Sequence, residues 1–178
     1  MTEQKNILDD ETIDAIWIDA ARSLGFRIVR SDDAYASFDG VDKITIGNRS
    51  TLDSDDCVAQ LVFHELCHAL IQGEANLSTP DWGLDNTNDN DAIREFACLR
   101  VQAHLSDRVG LRIPMTPTTV VQTYYRELTA DPLAGSDDAV SIACDTVTSR
   151  LFKRWEPVLG DALERTVTQV RRETTSHV

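Results

Sequence analysis

Two histidines that lie four positions apart, His64 and His68, stand within an apolar helical pattern near the middle of the chain. Hydrophobic residues recur there at helical spacing, and Gly73 ends the pattern. Ser54 and the acidic residues that follow it are suited to the start of such a helix. Residues four apart lie on one face of a helix, so any fold of this chain has to place two imidazoles side by side.

The residue that follows the first histidine, Glu65, completes the pattern His-Glu-x-x-His. Two imidazoles at this spacing can both bind one Zn²⁺ at the usual ~2.0–2.1 Å. Glu65 is turned aside from the two ligands but stays beside the metal, which suits a general base that takes a proton from water. The sequence therefore predicts a zinc site with His64 and His68 as ligands and Glu65 as the catalytic base.

A catalytic zinc ion normally has a third protein ligand. The sequence favours Glu95, which lies after a loop on a second predicted helix that runs from about Asp89 to Arg108. Three alternatives stay open: Asp91, Glu74 and His104. Glu95 could also be a solvated helix residue that pairs with Arg94 or Arg100.

Four further residues carry side chains that could contribute to such a site. The hydroxyls of Tyr124 and Tyr125 could stabilise a transition-state oxyanion, but aromatic residues at helical spacing are more typical of a core, and that interpretation is favoured. His104 is favoured as a surface histidine rather than a ligand, and His177 in the tail is expected to have no role.

The rest of the pattern predicts an α+β fold that is mostly helical. Short strands are predicted at 26–29 and 41–46, and a polar loop at 76–90; further helices are predicted at 9–24, 118–128 and 137–172, the last broken near Pro157-Gly160. We expect one zincin-like domain over 1–178, with an N-terminal helix and small sheet in 1–53, metal-binding helices in 54–108 and C-terminal helices in 118–172.

The composition of the chain limits the classes of partner and the location that we expect. The chain has 30 acidic and 17 basic residues and a formal net charge of −13, which argues against binding to nucleic acid. No apolar run approaches the ~20 residues that span a bilayer, and the first residues lack the features of a signal or transit peptide. We therefore expect a cytoplasmic protein without an integral membrane segment, whose four cysteines are free, buried thiols; the oligomeric state stays open.

Several segments resemble one known family: KITIGN, HELCHAL, Asp81-Trp82, EFACLRVQAHLS and DDAVSIACDTVTSRLFKRWEPV. Over residues 41–160 the chain is similar to the mitochondrial inner-membrane peptidases that process and help assemble a subunit of the ATP synthase. That family often has His where Glu95 stands and an acidic residue where Arg100 stands. The resemblance implies a zincin fold and a peptidase with a chaperone-like role, and it makes this chain a divergent relative.

These observations favour a zinc-dependent peptidase that acts on a peptide or protein substrate. The alternative is a metal-binding assembly or chaperone-like module with weak or no turnover. A purely structural zinc site is disfavoured, because such sites are usually closed and rich in cysteine. The strand VDKITI, residues 41–46, is the predicted sheet edge beside which a substrate strand would dock.

Overall fold

The computed structural model describes residues 7–8, 10–53, 55–85, 89–117 and 121–176. In these residues the fold is α+β and mostly helical, as predicted. The helices are α1 (Glu11–Ser23), α2 (Val58–Gln72), α3 (Asp89–Asp107), α4 (Gln122–Glu127), α5 (Asp138–Thr148) and α6 (Arg150–Ser176). The strands are β1 (Arg27–Ser31), β2 (Ala36–Phe38) and β3 (Lys43–Gly47), and short 3₁₀ helices form at Glu74–Asn76 and Pro80–Gly83.

The sheet has the order β1-β3-β2, so β3 is its central strand. β1 pairs with β3 in parallel and β2 pairs with β3 antiparallel, with Ser37 opposite Thr45. The prediction that VDKITI forms the sheet edge is therefore wrong, because this strand pairs on both sides. Val41 precedes the strand and is 77% exposed. The antiparallel edge strand is β2, which is too short to show an alternating pattern in the sequence.

Backbone hydrogen bonds show which groups of β2 face away from the sheet. Gly47 N–H donates to the carbonyl of Tyr35 at 2.8 Å and Asp39 N–H donates to that of Lys43 at 3.1 Å. Hydrogen bonding to the partner alternates along an antiparallel strand, so Ala36 and Phe38 direct their backbone groups outward. The outward N–H of Phe38 donates to the side chain of Asp81 at 2.8 Å, and the loop after α2 thus covers part of this edge.

α2 lies in the middle of the molecule, between α1, α3 and the sheet. It begins at Val58, later than the predicted start near Ser54, and Ser54 itself lies outside the described residues. Cys57 is the N-cap, and its N–H donates to the Gln60 side chain at 3.1 Å. The helix ends at Gly73, where φ is 75°. Almost every face is buried, and each large apolar side chain that it buries contributes about 1.5–3 kcal/mol. His64 and His68 are consequently held on a rigid, well-packed element.

The C-terminal helical tract is interrupted, but not near Pro157-Gly160 as predicted. α5 and α6 are separated at Ser149, whose ψ is 160° and whose hydroxyl accepts the N–H of Phe152 at 3.0 Å. Pro157 lies inside α6. Trp155 and Leu159 on either side of it are buried, so packing against the core outweighs the backbone hydrogen bond that the proline lacks.

The remaining helices agree with their predicted positions in part. α3 covers nearly all of its predicted range, and the loop before it contains the two 3₁₀ helices. The helix predicted at 118–128 is described only as α4, since 118–120 lie outside the described residues. Among the described helices, none combines the length and the apolar character that crossing a membrane requires.

Candidate metal centre

Three side chains from α2 and α3 converge where these helices pack together. His64 Nε2 and His68 Nε2 lie 3.0 Å apart. Glu95 on α3 reaches both of them, with Oε1 at 3.4 Å from His64 Nε2 and Oε2 at 3.1 Å from His68 Nε2. The pattern in the sequence placed the two imidazoles on one face, and the packing of α3 brings the carboxylate to the same point.

The spacing of these atoms fits one small cation. Ligands at ~2.0–2.1 Å from a tetrahedral zinc ion lie roughly 3.3 Å from each other, and the three separations here are 3.0, 3.1 and 3.4 Å. The side chains are largely shielded from solvent, with exposures of 17% for His64, 9% for His68 and 22% for Glu95. Two nitrogens and one carboxylate are also the donor set that zinc accepts at catalytic sites.

A second set of ligands shares the two histidines. His64, His68 and Cys98 offer donor atoms that all lie within 4.8 Å of one another, so this group could hold a metal ion. Cys98 Sγ lies 3.8 Å from Nδ1 of His64. Glu95, in contrast, contacts the Nε2 atoms of both histidines.

The contacts of Gln102 indicate which of the two sets of candidate ligands fits one metal ion better. Its Nε2 donates to the carbonyl of Met115 at 2.7 Å, which directs Oε1 toward His64 Nδ1 at 2.9 Å. An amide oxygen only accepts hydrogen bonds, so His64 Nδ1 carries a hydrogen and Nε2 is the nitrogen that can bind a metal. The geometry therefore favours Glu95 over Cys98 as the third ligand.

Gln102 was missed in the sequence, although it is fully buried on α3. It lies seven residues after Glu95, two helical turns along the same face, and this spacing is the signal that could have identified it. Histidines that bind metals commonly donate their second ring N–H to such a partner, which fixes the orientation of the ring. The corresponding nitrogen of His68, Nδ1, is buried without a hydrogen-bond partner in the described part of the chain.

The electrostatics of the centre follow from the contact between His64 and Glu95. Burial lowers the pKa of His64, but Glu95, with smaller effects of Glu65 and Gln102, raises it overall to about 9. Burial raises the pKa of Glu95, and the two histidines more than offset this and hold it well below its ordinary value. In the absence of a cation, His64 is thus protonated beside an ionised Glu95. A bound metal ion would replace that proton.

The predicted base, Glu65, lies beside this cluster. Trp82 Nε1 donates to Glu65 Oε2 at 3.0 Å. Glu65 shares with the three converging side chains a cavity of about 620 Å³. The lining residues are Ala36, Ser37, His64, Glu65, His68, Asp81, Trp82, Leu84, Glu95 and Val121. The cavity is therefore continuous with the converging nitrogen and carboxylate atoms and with Glu65.

The alternative third ligands lie elsewhere. The Asp91 carboxylate accepts the N–H of Asp85 at 3.1 Å, and Glu74 pairs with Arg154 at 2.8 Å. His104 is half-buried rather than on the surface; burial lowers its pKa, and its charged neighbours are Arg108, Asp131 and Asp107. None of the three lines the cavity that contains the histidines.

The two tyrosines that were considered for oxyanion stabilisation are also remote from this cavity. Tyr125 is fully buried, and its hydroxyl contacts Ser106 and the carbonyl of Arg112, each at 3.2 Å. The hydroxyl of Tyr124 accepts a hydrogen bond from Arg100 Nε at 2.7 Å. These contacts make both residues part of the packing between α3 and α4.

The four cysteines are free, and Cys57, Cys67 and Cys98 are buried, as expected. Burial raises the pKa of the Cys67 and Cys98 thiols well above the ordinary range. Comparison of the chain with models of known protein families, with curated proteins and with solved structures finds no match.

Proposed function

We propose that this protein is a zinc-dependent peptidase of zincin-like architecture. In the proposal, His64, His68 and Glu95 hold the metal ion and Glu65 is the general base. The observation that supports it is the convergence of two Nε2 atoms and one carboxylate within 3.4 Å of each other, with a second carboxylate in the same cavity. Structural zinc sites are usually closed by four ligands, and an adjoining cavity favours catalysis instead.

Zinc supplies Lewis-acid chemistry, which polarises a peptide carbonyl and increases the acidity of water. Glu65 accepts the proton of the attacking water at Oε1, the oxygen that is not hydrogen-bonded to Trp82. The same carboxyl group then returns the proton to the amine leaving group, since Asp81, the other carboxylate of the cavity outside the proposed ligand set, accepts the N–H of Phe38. Gln102, through its contact with Nδ1, would leave Nε2 of His64 as the nitrogen that holds the metal.

The cavity also indicates how a peptide would lie. Ala36 and Ser37 of the edge strand β2 line it, and Ala36 directs its backbone N–H and C=O away from β3. An extended peptide can add to a free sheet edge through such groups. The substrate strand is therefore proposed to dock beside β2, not beside the strand VDKITI.

Metal content and hydrolysis test the proposal together. The purified protein is expected to bind one Zn²⁺ per chain and to cleave members of a mixture of unstructured peptides, with products identified by mass spectrometry. Glu65→Gln should retain zinc but lose at least about a thousandfold in kcat, because the base is removed while the ligands stay. A protein that takes up no zinc when zinc is supplied overturns the proposal, and a fully active Glu65→Gln variant overturns the role of Glu65.

The rival function is a metal-binding assembly or chaperone-like module. It predicts full zinc binding by the wild type with no cleavage of any peptide, and an unchanged biological role after Glu65→Gln. The proposed chemistry agrees with that of the mitochondrial peptidase family which the sequence resembles, and membership of that family stays a prediction, as does a cytoplasmic location.

A further inference from the structure

We infer that Trp82 is a positioning residue for catalysis, which holds the Glu65 carboxylate through its indole N–H. This inference rests on the proposed function of Glu65. The hydrogen bond from Trp82 Nε1 to Glu65 Oε2 is 3.0 Å long. The indole nitrogen can only donate, so Trp82 occupies one carboxylate oxygen and leaves the other for the proton of the attacking water.

The backbone around Trp82 is strained. Asp81 (φ 47°, ψ 32°) and Trp82 (φ 58°, ψ 16°) are the only described residues other than glycine with positive φ. This conformation is unfavourable for a bulky side chain, and it persists only where the surroundings hold it. Two consecutive residues in this state turn the indole ring inward, where it is 1% exposed.

The surroundings that hold the strained pair belong to the sheet. Asp81 accepts the outward N–H of Phe38 at 2.8 Å. The Trp82 ring stacks on Phe38 with 3.7 Å between centroids and 7° between planes, and the edge of Phe26 packs against it at 5.4 Å. Gly40 adjoins Pro80 so closely that a Cβ there would lie 2.7 Å from the proline ring. Contacts with β2 and with the residues that flank the sheet thus hold the indole ring in place.

This arrangement joins the base to the strand at which the substrate is proposed to dock. Glu65 is half-buried, and among the described residues only Trp82 donates a hydrogen bond to its carboxylate. Without that bond the carboxylate would sample other rotamers, and displacements of about 1 Å can cost about a hundredfold in rate. The strain in the loop is then explained, since it serves to direct one N–H at Glu65.

The test compares two buried tryptophans. Trp82→Phe keeps an aromatic ring for the stack but removes the N–H. Trp17→Phe is the matched control, because Trp17 is fully buried, donates to Thr166 Oγ1 at 3.1 Å and does not line the cavity. Trp82→Phe is expected to lower kcat about ten- to hundredfold for the best-cleaved peptide, with KM and zinc affinity within about twofold of the wild type.

Trp17→Phe is expected to lower Tm to a similar extent but to leave kcat unchanged. In the Glu65→Gln background, Trp82→Phe should cause no further loss, because its effect passes through Glu65. A kcat for Trp82→Phe within twofold of the wild type overturns the inference and leaves the proposed function intact. A zinc-loaded wild type that cleaves nothing overturns both.

Nuclear magnetic resonance gives a readout without turnover. Three indole N–H signals are expected from the three tryptophans, and the one that disappears in Trp82→Phe identifies Trp82. That signal should move in Glu65→Gln, because a neutral amide oxygen replaces a charged acceptor, while the Trp17 signal stays in place. An unmoved Trp82 signal overturns the contact on which the inference depends.

Discussion

Two charged side chains that are largely shielded from solvent, Glu95 and Arg100, stand five residues apart on α3, and their hydrogen-bonding partners differ. Arg100 is 7% exposed and donates to groups that come from the segment between α4 and α5 or from α4 itself. These acceptors are Tyr124 OH at 2.7 Å, the carbonyls of Pro132 and Ala134 at 2.7 and 3.5 Å, and Asp137 at 3.2 Å. Three of these four acceptors are neutral oxygens, and only Asp137 is a carboxylate.

Glu95 faces the opposite helix, where its partners are the Nε2 atoms of His64 and His68. Those atoms could also coordinate a metal ion, so in the proposed function a cation would replace the proton that lies between His64 and Glu95. Arg100 thus stabilises the packing of the segment between α4 and α5 against α3, whereas Glu95 is proposed to contribute to a binding site. This difference predicts that the two clusters respond independently to mutation.

The largest effect is expected for Glu95→Gln on zinc affinity. Zinc sites with four ligands bind with about 10–16 kcal/mol, so that one ligand contributes roughly 3–4 kcal/mol, or about a hundred- to thousandfold in Kd. Competition with a chromophoric chelator measures this loss. Retention of wild-type affinity would remove Glu95 from the ligand set, and loss in Cys98→Ser instead would favour the second group of donors.

Arg100→Met should act on stability and not on zinc. The substitution keeps much of the volume but leaves several buried acceptors without a donor, which costs about 3 kcal/mol in the free energy of unfolding. Urea denaturation of the metal-free protein measures it. Zinc affinity should stay within about twofold of the wild type, and a tenfold weakening would show that the two clusters on α3 are coupled.

The local parts of the candidate site could be predicted because they depend on spacing within one helix. His64 and His68 share a face wherever that helix lies, and Glu65 follows from its position between them. Glu95 was favoured from its place on a second helix, but the sequence left Asp91, Glu74 and His104 open, because the register between α2 and α3 is set by packing across the core. The role of each residue in metal binding stays a prediction.

The parts that could not be predicted depend on long-range contacts. β2 has three residues, which is too few for a pattern, and the placement of VDKITI at the sheet edge was wrong for that reason. Pro157 indicated a helix break that the buried neighbours Trp155 and Leu159 override. The bond from Trp82 to Glu65 spans 17 residues and needs a strained turn that no composition indicates.

Gln102→Leu sharpens the comparison within the metal-binding cluster. Loss of the partner of His64 Nδ1 should weaken zinc binding about ten- to hundredfold. Gln60→Leu is the matched control, because Gln60 is also buried and donates to the same segment, at the carbonyls of Pro114 and Thr116 (2.9 and 3.1 Å). Equal losses in both variants would assign Gln102 to holding that segment, not to orienting His64.

The clusters around Glu95 and Arg100 should also differ in how the stability of the protein depends on pH. The pKa of His64 in the folded, metal-free protein is raised to about 9 from 6.5, so its contribution to stability is complete below about pH 6.5 and is lost as the pH rises through 9. The free energy of unfolding of the metal-free protein should therefore fall over this range, as urea denaturation at a series of pH values would measure. Glu95→Gln should abolish the decline, because the carboxylate that stabilises the imidazolium is gone. Arg100→Met should preserve this decline, although the free energy of unfolding is lower at every pH, since a guanidinium does not titrate in this range. A decline that disappears in Arg100→Met but persists in Glu95→Gln would reverse the assignment of the two charges.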